Sequence, residues 1–352
     1  MAETVYVINL TIDSTLRICD RIQDLINAGE NEIEINFTSI STVEPFGFVY
    51  FSNFIKTLRD SYPRLVLKEK ILSSVSTAQY AGFMGFFKCC GFDHGSEART
   101  TLPNDNSKRY IPITKMNVAD IKRIAADRFM HVGDLIEENS RLLAELITGE
   151  EDTELVETLT YCYREIIRNV VEHSESETIT FCAQYWPSKN KTEVVVLDEG
   201  VGIKNSLEQN TSLPTLLDDR EAVSYALLPS ISSKVNLRGG KKKRRQSDDQ
   251  WQNTGFGLYM THRIAGMGGE FFIGSGTAGI LIQNENKLNR TINLDGTVLR
   301  MVIKTDAIEE LRDILGRFRE EGFKLARTYT DIQIEPSKAS MMLFSSKKQD
   351  VE

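Results

Sequence analysis

Residues 161–174 read Y-C-Y-R-E-I-I-R-N-V-V-E-H-S, and this stretch predicts an amphipathic helix. Its core-facing stripe follows the i, i+3, i+4, i+7 spacing and consists of Leu159, Cys162, Tyr163, Ile166 and Val170. Glu165, Asn169 and His173 follow one another at four-residue spacing along the edge of that stripe. A carboxylate, a carboxamide and an imidazole in one row could reach the same ligand. A row of this kind also occurs on solvated helix faces, so it does not define a site by itself.

Two glycine motifs follow this helix in the chain. D-E-G-V-G (198–202) comes directly after an apolar strand pattern, and G-F-G-L (255–258) opens a later predicted helix. The order E-x-x-x-N, D-x-G-x-G, G-x-G-L resembles the N, G1 and G2 boxes of the GHKL ATPase superfamily. That superfamily includes gyrase, mismatch-repair ATPases, chaperone ATPases and histidine kinases. The form E-x-x-x-N-x-x-x-H is most similar to the anti-sigma-factor serine kinases.

The resemblance implies a Bergerat-type domain, an α/β fold in the form of an α+β two-layer sandwich, with a mixed sheet and helices on one face. It implies ATP and Mg²⁺ as cofactors. Glu165 would be the general base that orients water or a protein hydroxyl. Asn169 would give an oxygen to Mg²⁺, and His173 would help to hold the metal or the phosphates.

The same resemblance assigns roles to the glycine motifs. Asp198 would accept a hydrogen bond from the adenine amino group, which selects ATP over GTP. Glycine has no Cβ, so the backbone could approach the base and, at a helix N-terminus, the phosphates. Thr297, within D-G-T (295–297), would close the adenine pocket. The implied cofactor-binding residues are Asn169, His173, Asp198, Gly200, Gly202, Ile203, Gly255, Phe256, Gly257, Leu258 and Thr297.

Residues 1–100 predict a separate domain. Their strand and helix patterns alternate as β-α-β-α, with a strand around Ile33, a helix over 47–60, a strand over 64–68 and a helix over 75–90. This order resembles a STAS domain, the fold of anti-sigma-factor antagonists, although an unrelated α/β domain is the alternative. Phe46 stands where the antagonists carry a phosphorylated serine or threonine. We therefore expect a STAS-like docking or dimerisation module that is not phosphorylated at that position.

The rest of the chain predicts three further parts. Residues 101–117 are expected to be a linker, and 118–305 a GHKL domain with a helical lead-in over 118–148. Residues 203–254 would be an ATP lid, with glycines 239–240 and the basic run 241–245. Residues 306–352 would form a C-terminal helix, a short strand over 331–335 and a tail. His131 lacks the downstream proline of a phosphoacceptor helix and is expected to be a surface or capping histidine, which disfavours a conventional histidine kinase.

Composition narrows the class of protein. The chain has 352 residues and a net charge of −8, which argues against nucleic acid as a partner. The first residues lack the pattern of a signal peptide and no apolar run has membrane-spanning length, which predicts a cytoplasmic protein. The five cysteines are irregularly spaced, and the adjacent Cys89 and Cys90 predict buried thiols rather than a zinc site.

These patterns support two functions. The first is an ATP-dependent enzyme, either an ATPase or an anti-sigma-type serine/threonine protein kinase. The expected partner is a STAS-type or other regulatory protein, or a second copy of the chain in a homodimer. The second is a nucleotide-gated interaction module with little turnover. The presence of Glu165 favours the first. A gyrase-like DNA enzyme is the least supported, because too few residues follow position 305 to form a transducer domain.

Overall fold

A computed structural model describes residues 3–102, 109–151, 153–233, 255–284, 286–307 and 311–328. Within these ranges the fold is mixed α/β, with both parallel and antiparallel sheets. The predicted lid residues 234–254 and the predicted strand 331–335 lie outside the described residues. No helix in the described ranges combines the length and apolar content that crossing a bilayer requires.

The N-terminal unit is built on a parallel three-stranded sheet of order β1-β3-β5, and β2 and β4 form a small parallel pair beside it. Its elements are β1 (Glu3–Tyr6), β2 (Asn9–Leu10), α1 (Ile12–Asn27), β3 (Glu32–Asn36), β4 (Thr42–Val43), α2 (Pro45–Ser61), β5 (Val66–Lys70), α3 (Ser76–Phe83) and α4 (Phe86–Cys89). Parallel neighbours need crossover connections, and α1 and α2 provide them.

The second unit is built on a five-stranded antiparallel sheet of order β6-β7-β8-β10-β9. Its strands are β6 (Tyr110–Asn117), β7 (Thr178–Trp186), β8 (Lys191–Asp198), β9 (Glu270–Gln283) and β10 (Asn286–Lys304). Its helices are α5 (Val118–Asp127), α6 (Val132–Thr148), α7 (Glu154–Asn169), α8 (Gly202–Glu208), α9 (Asp219–Ala226), α10 (Gly257–Ala265) and α11 (Leu311–Ala326). A π-helical segment, Val170–Ser174, continues α7.

Both faces of the five-stranded sheet are covered. Side chains alternate between the faces of a strand, and in β8 the even-numbered Val194 and Val196 join the core beneath α5, α6, α7 and α10. The odd-numbered Val195 and Leu197 join a second core that they share with the N-terminal unit. The helices of the second unit lie on one face, as expected, while helix α2 of the N-terminal unit covers the other. The expectation of a mixed sheet is wrong, because all neighbouring strands of this sheet pair antiparallel.

Helix α2 lies along the back of β8. Near the start of the strand, the Phe46 backbone N–H donates to the Glu193 carboxylate at 3.1 Å, and the fully buried Phe46 ring packs edge-on against Phe272. Near the end of the strand, Lys56 pairs with Glu199 at 2.7 Å. The position that resembles the antagonist phosphoacceptor is therefore buried inside the chain, against its own five-stranded sheet.

A buried ion network fixes this contact between the units. Arg300 of β10 is 2% exposed and donates to Glu193, which is 0% exposed, at 3.0 Å and to Glu270 at 2.5 Å. Glu44, directly before α2, lies 3.5 Å from Arg300 and 3.0 Å from Lys191. Burial alone would lower the pKa of the Arg300 guanidinium, but the three carboxylates raise it above its ordinary value. The Arg300 guanidinium therefore compensates the buried Glu193 carboxylate, and Lys191 lies 3.5 Å from the same carboxylate.

Several elements differ from the prediction. The predicted linker 101–117 contains the strand β6. Pro112 argues against a strand in the sequence, but proline is tolerated here because β6 lies at the edge of the sheet. The predicted helix 75–90 is two helices, because Gly85 adopts a left-handed conformation with φ 83° between α3 and α4. The sequence pattern predicts two strands over 270–273 and 279–283, but these residues form the single strand β9.

Other local predictions are confirmed. Residues 118–148 form two amphipathic helices, and the His131 imidazole caps the second by accepting the Gly133 N–H at 3.0 Å. Alternating β-branched and aromatic residues over 178–186 and 193–197, on either side of residues 187–190, predict a hairpin. Strands β7 and β8 form it, and its turn is a 3-10 helix over Pro187–Lys189. Cys90 is buried and Cys89 half-buried, and both are free thiols.

Candidate functional site

A cavity of about 860 Å³, counted to its open mouth, lies between the end of α7, the starts of α8 and α10, and strands β8 and β10. Its apolar walls consist of Ile166, Val170, Val196, Leu207, Ile231, Ile273 and Leu299. The predicted site residues that line it are Asn169, His173, Asp198, Gly202, Ile203, Gly255, Gly257, Leu258 and Thr297. The fold thus brings residues of all three motifs to one cavity.

Asp198 is a buried carboxylate at the end of β8. It is 3% exposed, and its Oδ1 accepts the Gly200 backbone N–H at 2.9 Å. The Thr297 backbone N–H, on the paired strand β10, also donates to it. No ion pair to Asp198 is present among the described residues, and burial raises its pKa to about 6. A carboxylate has about four acceptor positions, so Asp198 can accept a further hydrogen bond from a ligand.

The backbone at the start of α10 forms one end of the cavity. Gly255 has φ 71°, and a Cβ there would lie 2.7 Å from the Ile231 backbone nitrogen. A Cβ at Gly257 would lie 1.9 Å from Glu165 Oε2. Gly255 therefore requires glycine, whereas a side chain at Gly257 would displace the Glu165 carboxylate. The first N–H groups of a helix have no partner within the helix, which makes this end of the cavity suited to an anion.

The predicted row Glu165, Asn169 and His173 is only partly realised. The α-helix ends at Asn169 and the π-helical segment carries His173, and both residues line the cavity. Glu165 does not line it: the side chain is 6% exposed, and Oε1 accepts from Arg164 Nη2 at 2.9 Å and Nε at 3.3 Å. Its other oxygen lies against Gly257. The Glu165 carboxylate thus lies beside the cavity rather than in it.

Two other predicted residues also lie outside the lining. The Phe256 ring is 1% exposed and packs against Phe323 of α11, with ring centroids 5.1 Å apart. Its side chain therefore supports the start of α10 from behind. A Cβ at Gly200 would lie 2.0 Å from the Ser174 carbonyl oxygen, so this glycine allows the loop after β8 to contact the π-helical segment. Both residues support the cavity structurally.

The sequence did not indicate several polar residues of the site. The cavity also presents Ser174, Ser206, Ser232 and Ser233. Ser275 of β9 lies behind it, where its hydroxyl donates to the Gly296 carbonyl at 2.7 Å and accepts the Ile203 N–H at 2.9 Å. No motif marks these serines, because distant segments of the chain bring them together.

The described residues contain no group of three or more His, Cys, Asp or Glu side chains that could hold a metal ion. Mg²⁺ is commonly bound through one or two protein oxygens together with phosphates and water. The Asn169 amide oxygen fits that mode, since it lines the same cavity as the α10 N-terminus. The donor set therefore fits a metal that arrives with a phosphorylated ligand.

Comparison with known proteins adds no assignment. No protein-family model matches the chain, and no curated protein matches it in sequence. The function is therefore inferred from the cavity and its residues.

Proposed function

We propose that this chain binds ATP and Mg²⁺ in the cavity, as a GHKL-type domain, and hydrolyses ATP or transfers its γ-phosphate to a protein serine or threonine. The observation that carries the proposal is the Asp198 carboxylate. It is buried at an apolar cavity, has no ion pair in the described residues and keeps acceptor capacity. An adenine ring supplies the matching groups, an apolar face and an amino donor.

The remaining residues fit the other parts of the nucleotide. The N-terminus of α10, with Gly255 and Gly257, would receive the phosphates. Asn169 would hold Mg²⁺, which neutralises phosphate charge when it is bound. Thr297 lies opposite Asp198 in the β8–β10 pairing and would close the base site. Glu165 would act as general base after its side chain turns away from Arg164.

A nucleotide-gated switch with little turnover is the second candidate, and one observation favours it. The Glu165 carboxylate is held by Arg164, which is itself 2% exposed and bound to Glu137 at 2.9 Å. A base in this arrangement is not directed at the cavity. If the pair persists when nucleotide is bound, ATP would order the site without rapid chemistry.

The N-terminal unit enters the proposal as a regulatory module. Its parallel sheet and alternating strands and helices agree with the resemblance to a STAS domain. Helix α2 contacts the same strand that carries Asp198, through Glu193 and Glu199. We propose that this unit acts within the chain, and that the phosphate acceptor is a separate regulatory protein.

ATP binding should weaken as the pH falls through about 6. The Asp198 pKa of about 6 means that its carboxylate is mostly ionised at about pH 7.5 and mostly protonated at about pH 5. Protonation removes the charged acceptor, so the affinity should fall below the pKa until about 1–3 kcal/mol, the worth of a charge-assisted hydrogen bond, is lost. Calorimetric titration with ATP across this range measures the effect.

Phosphate groups also titrate near pH 6, so the experiment needs a matched control. Asp198→Asn cannot titrate and should show only the part of the pH dependence that belongs to the nucleotide. The same pH profile in both proteins would contradict contact between the ligand and Asp198.

A further inference from the structure

Ser233 and His173 are in direct contact at the edge of the cavity. The Ser233 Oγ lies 2.9 Å from His173 Nδ1, and both residues line the cavity. They are 60 residues apart in the chain, so the tertiary fold creates the contact. A serine hydroxyl bonded to an imidazole is a common arrangement for activating a nucleophile. The mechanism proposed above gives Ser233 no role.

The segment that carries Ser233 is anchored on two sides. The Ser230 N–H donates to the Gly255 carbonyl at 3.1 Å, which ties the segment to the proposed phosphate site. The Asn210 side chain donates to the Ser232 carbonyl at 2.8 Å, next to Ser233. These bonds hold the hydroxyl beside the imidazole and near the start of α10.

The environment of Ser233 differs from that of another serine in the lining. The Ser174 hydroxyl donates to the Val170 carbonyl at 2.7 Å and is therefore directed at the backbone of the π-helical segment. The Ser233 hydroxyl is half-buried and is bonded to a group that can accept its proton. The geometry thus singles out Ser233 as the more reactive of the two.

We propose that Ser233 is a phosphoacceptor within the chain, and that His173 is the base that activates it. This inference rests on the proposed ATP site. The Ser233 Oγ attacks the γ-phosphorus, and its proton passes to His173 Nδ1, which must be the unprotonated nitrogen of the neutral ring. The Oγ–P bond forms as the bond from the γ-phosphorus to the β–γ bridging oxygen breaks. ADP leaves with that electron pair, and the imidazolium returns its proton to water.

Mass spectrometry of the full chain after incubation with ATP and Mg²⁺ tests the proposal. We expect phosphate on Ser233 in the wild type and none in Ser233→Ala. Ser233→Thr keeps a hydroxyl and should retain modification. His173→Asn can keep a hydrogen bond but cannot take up the proton, so labelling should slow by about 100-fold or more. Ser224→Ala, on α9 and outside the cavity lining, is the matched control and should label like the wild type.

A second readout needs no nucleotide. The chain has four histidines, so imidazole ¹⁵N resonances can be assigned with His173→Asn. Ser233→Ala should shift the His173 Nδ1 resonance and leave the other histidines unchanged. An unchanged Nδ1 resonance would overturn the proposal, because the contact on which it depends would be absent in solution.

Calorimetry with a non-hydrolysable ATP analogue separates this proposal from the one on which it rests. Bound analogue with no phosphate on Ser233 after incubation with ATP would overturn the acceptor assignment and leave the nucleotide site intact. Phosphate on Ser206 or Ser232 instead would also overturn it. No binding of the analogue would overturn both proposals.

Discussion

Arg300→Ala should destabilise the protein by about 3–5 kcal/mol, the usual cost of removing one partner from a buried ion pair. The substitution would leave Glu193, which is 0% exposed, without its guanidinium partner. Glu270 and Glu44 would lose the same partner. Urea unfolding followed by circular dichroism measures the loss. We expect the contact between the N-terminal unit and the sheet to weaken, since Glu193 also accepts the Phe46 N–H.

Arg290→Ala is the matched control for this prediction. Arg290 lies on the same strand and pairs with Asp13 of α1, but its side chain is 25% exposed and that of Asp13 is 49% exposed. An exposed pair contributes about 0–1 kcal/mol, so this change should be small. The double variant Arg300→Met with Glu193→Gln should recover part of the loss, because it removes both charges. Equal losses for Arg300→Ala and Arg290→Ala would contradict the role assigned to the buried network.

Glu165→Gln should lower ATP turnover by about 100-fold or more while ATP binding changes little. The amide cannot act as a general base, and loss of such a base has effects of this size. Asn169→Ala should lower both turnover and binding, because Mg²⁺ contributes to both. Phosphate release and calorimetry measure the two quantities separately.

Glu157→Gln is the control for the Glu165→Gln and Asn169→Ala variants, because Glu157 lies on the same helix but outside the cavity lining. It should leave turnover and binding unchanged. Wild-type turnover at background, with ATP still bound, would exclude the enzyme and support the nucleotide-gated switch. In that case the Arg164–Glu165 pair is the contact that keeps the base from the cavity.

Local patterns predicted much of the fold around the site. The spacing of Cys162, Ile166 and Val170 indicates the central helix, and alternation along 178–186 and 193–197 indicates the hairpin that ends at Asp198. The run of apolar residues 194–197 is also typical of a strand buried on both faces. This apolar run therefore predicts that both faces of the five-stranded sheet are covered, although it does not identify the element that covers the second face.

Contacts between distant segments could not be predicted in this way. Docking of α2 depends on Glu193 and Arg300, which are far from Phe46 in the chain and carry no local pattern. The Glu165 side chain is oriented by its ion pair with Arg164, which also pairs with Glu137. The spacing of residues along a helix does not predict such ion pairs. Motif spacing can place residues on one helix edge, but side-chain partners decide which of them reach the cavity.

The central claim is that the cavity binds ATP through Asp198, and calorimetric titration of ATP into the wild type, Asp198→Ala and Glu199→Ala tests it most directly. Glu199 is the adjacent carboxylate, and its side chain is 36% exposed. Glu199→Ala removes one carboxylate, as Asp198→Ala does, but it changes no residue of the cavity lining. We expect the wild type and Glu199→Ala to bind ATP alike, and Asp198→Ala to bind it more weakly by about 1–3 kcal/mol, the scale of a lost buried hydrogen bond to a charged group. Equal affinity in Asp198→Ala and the wild type, or no binding by the wild type, would contradict the claim.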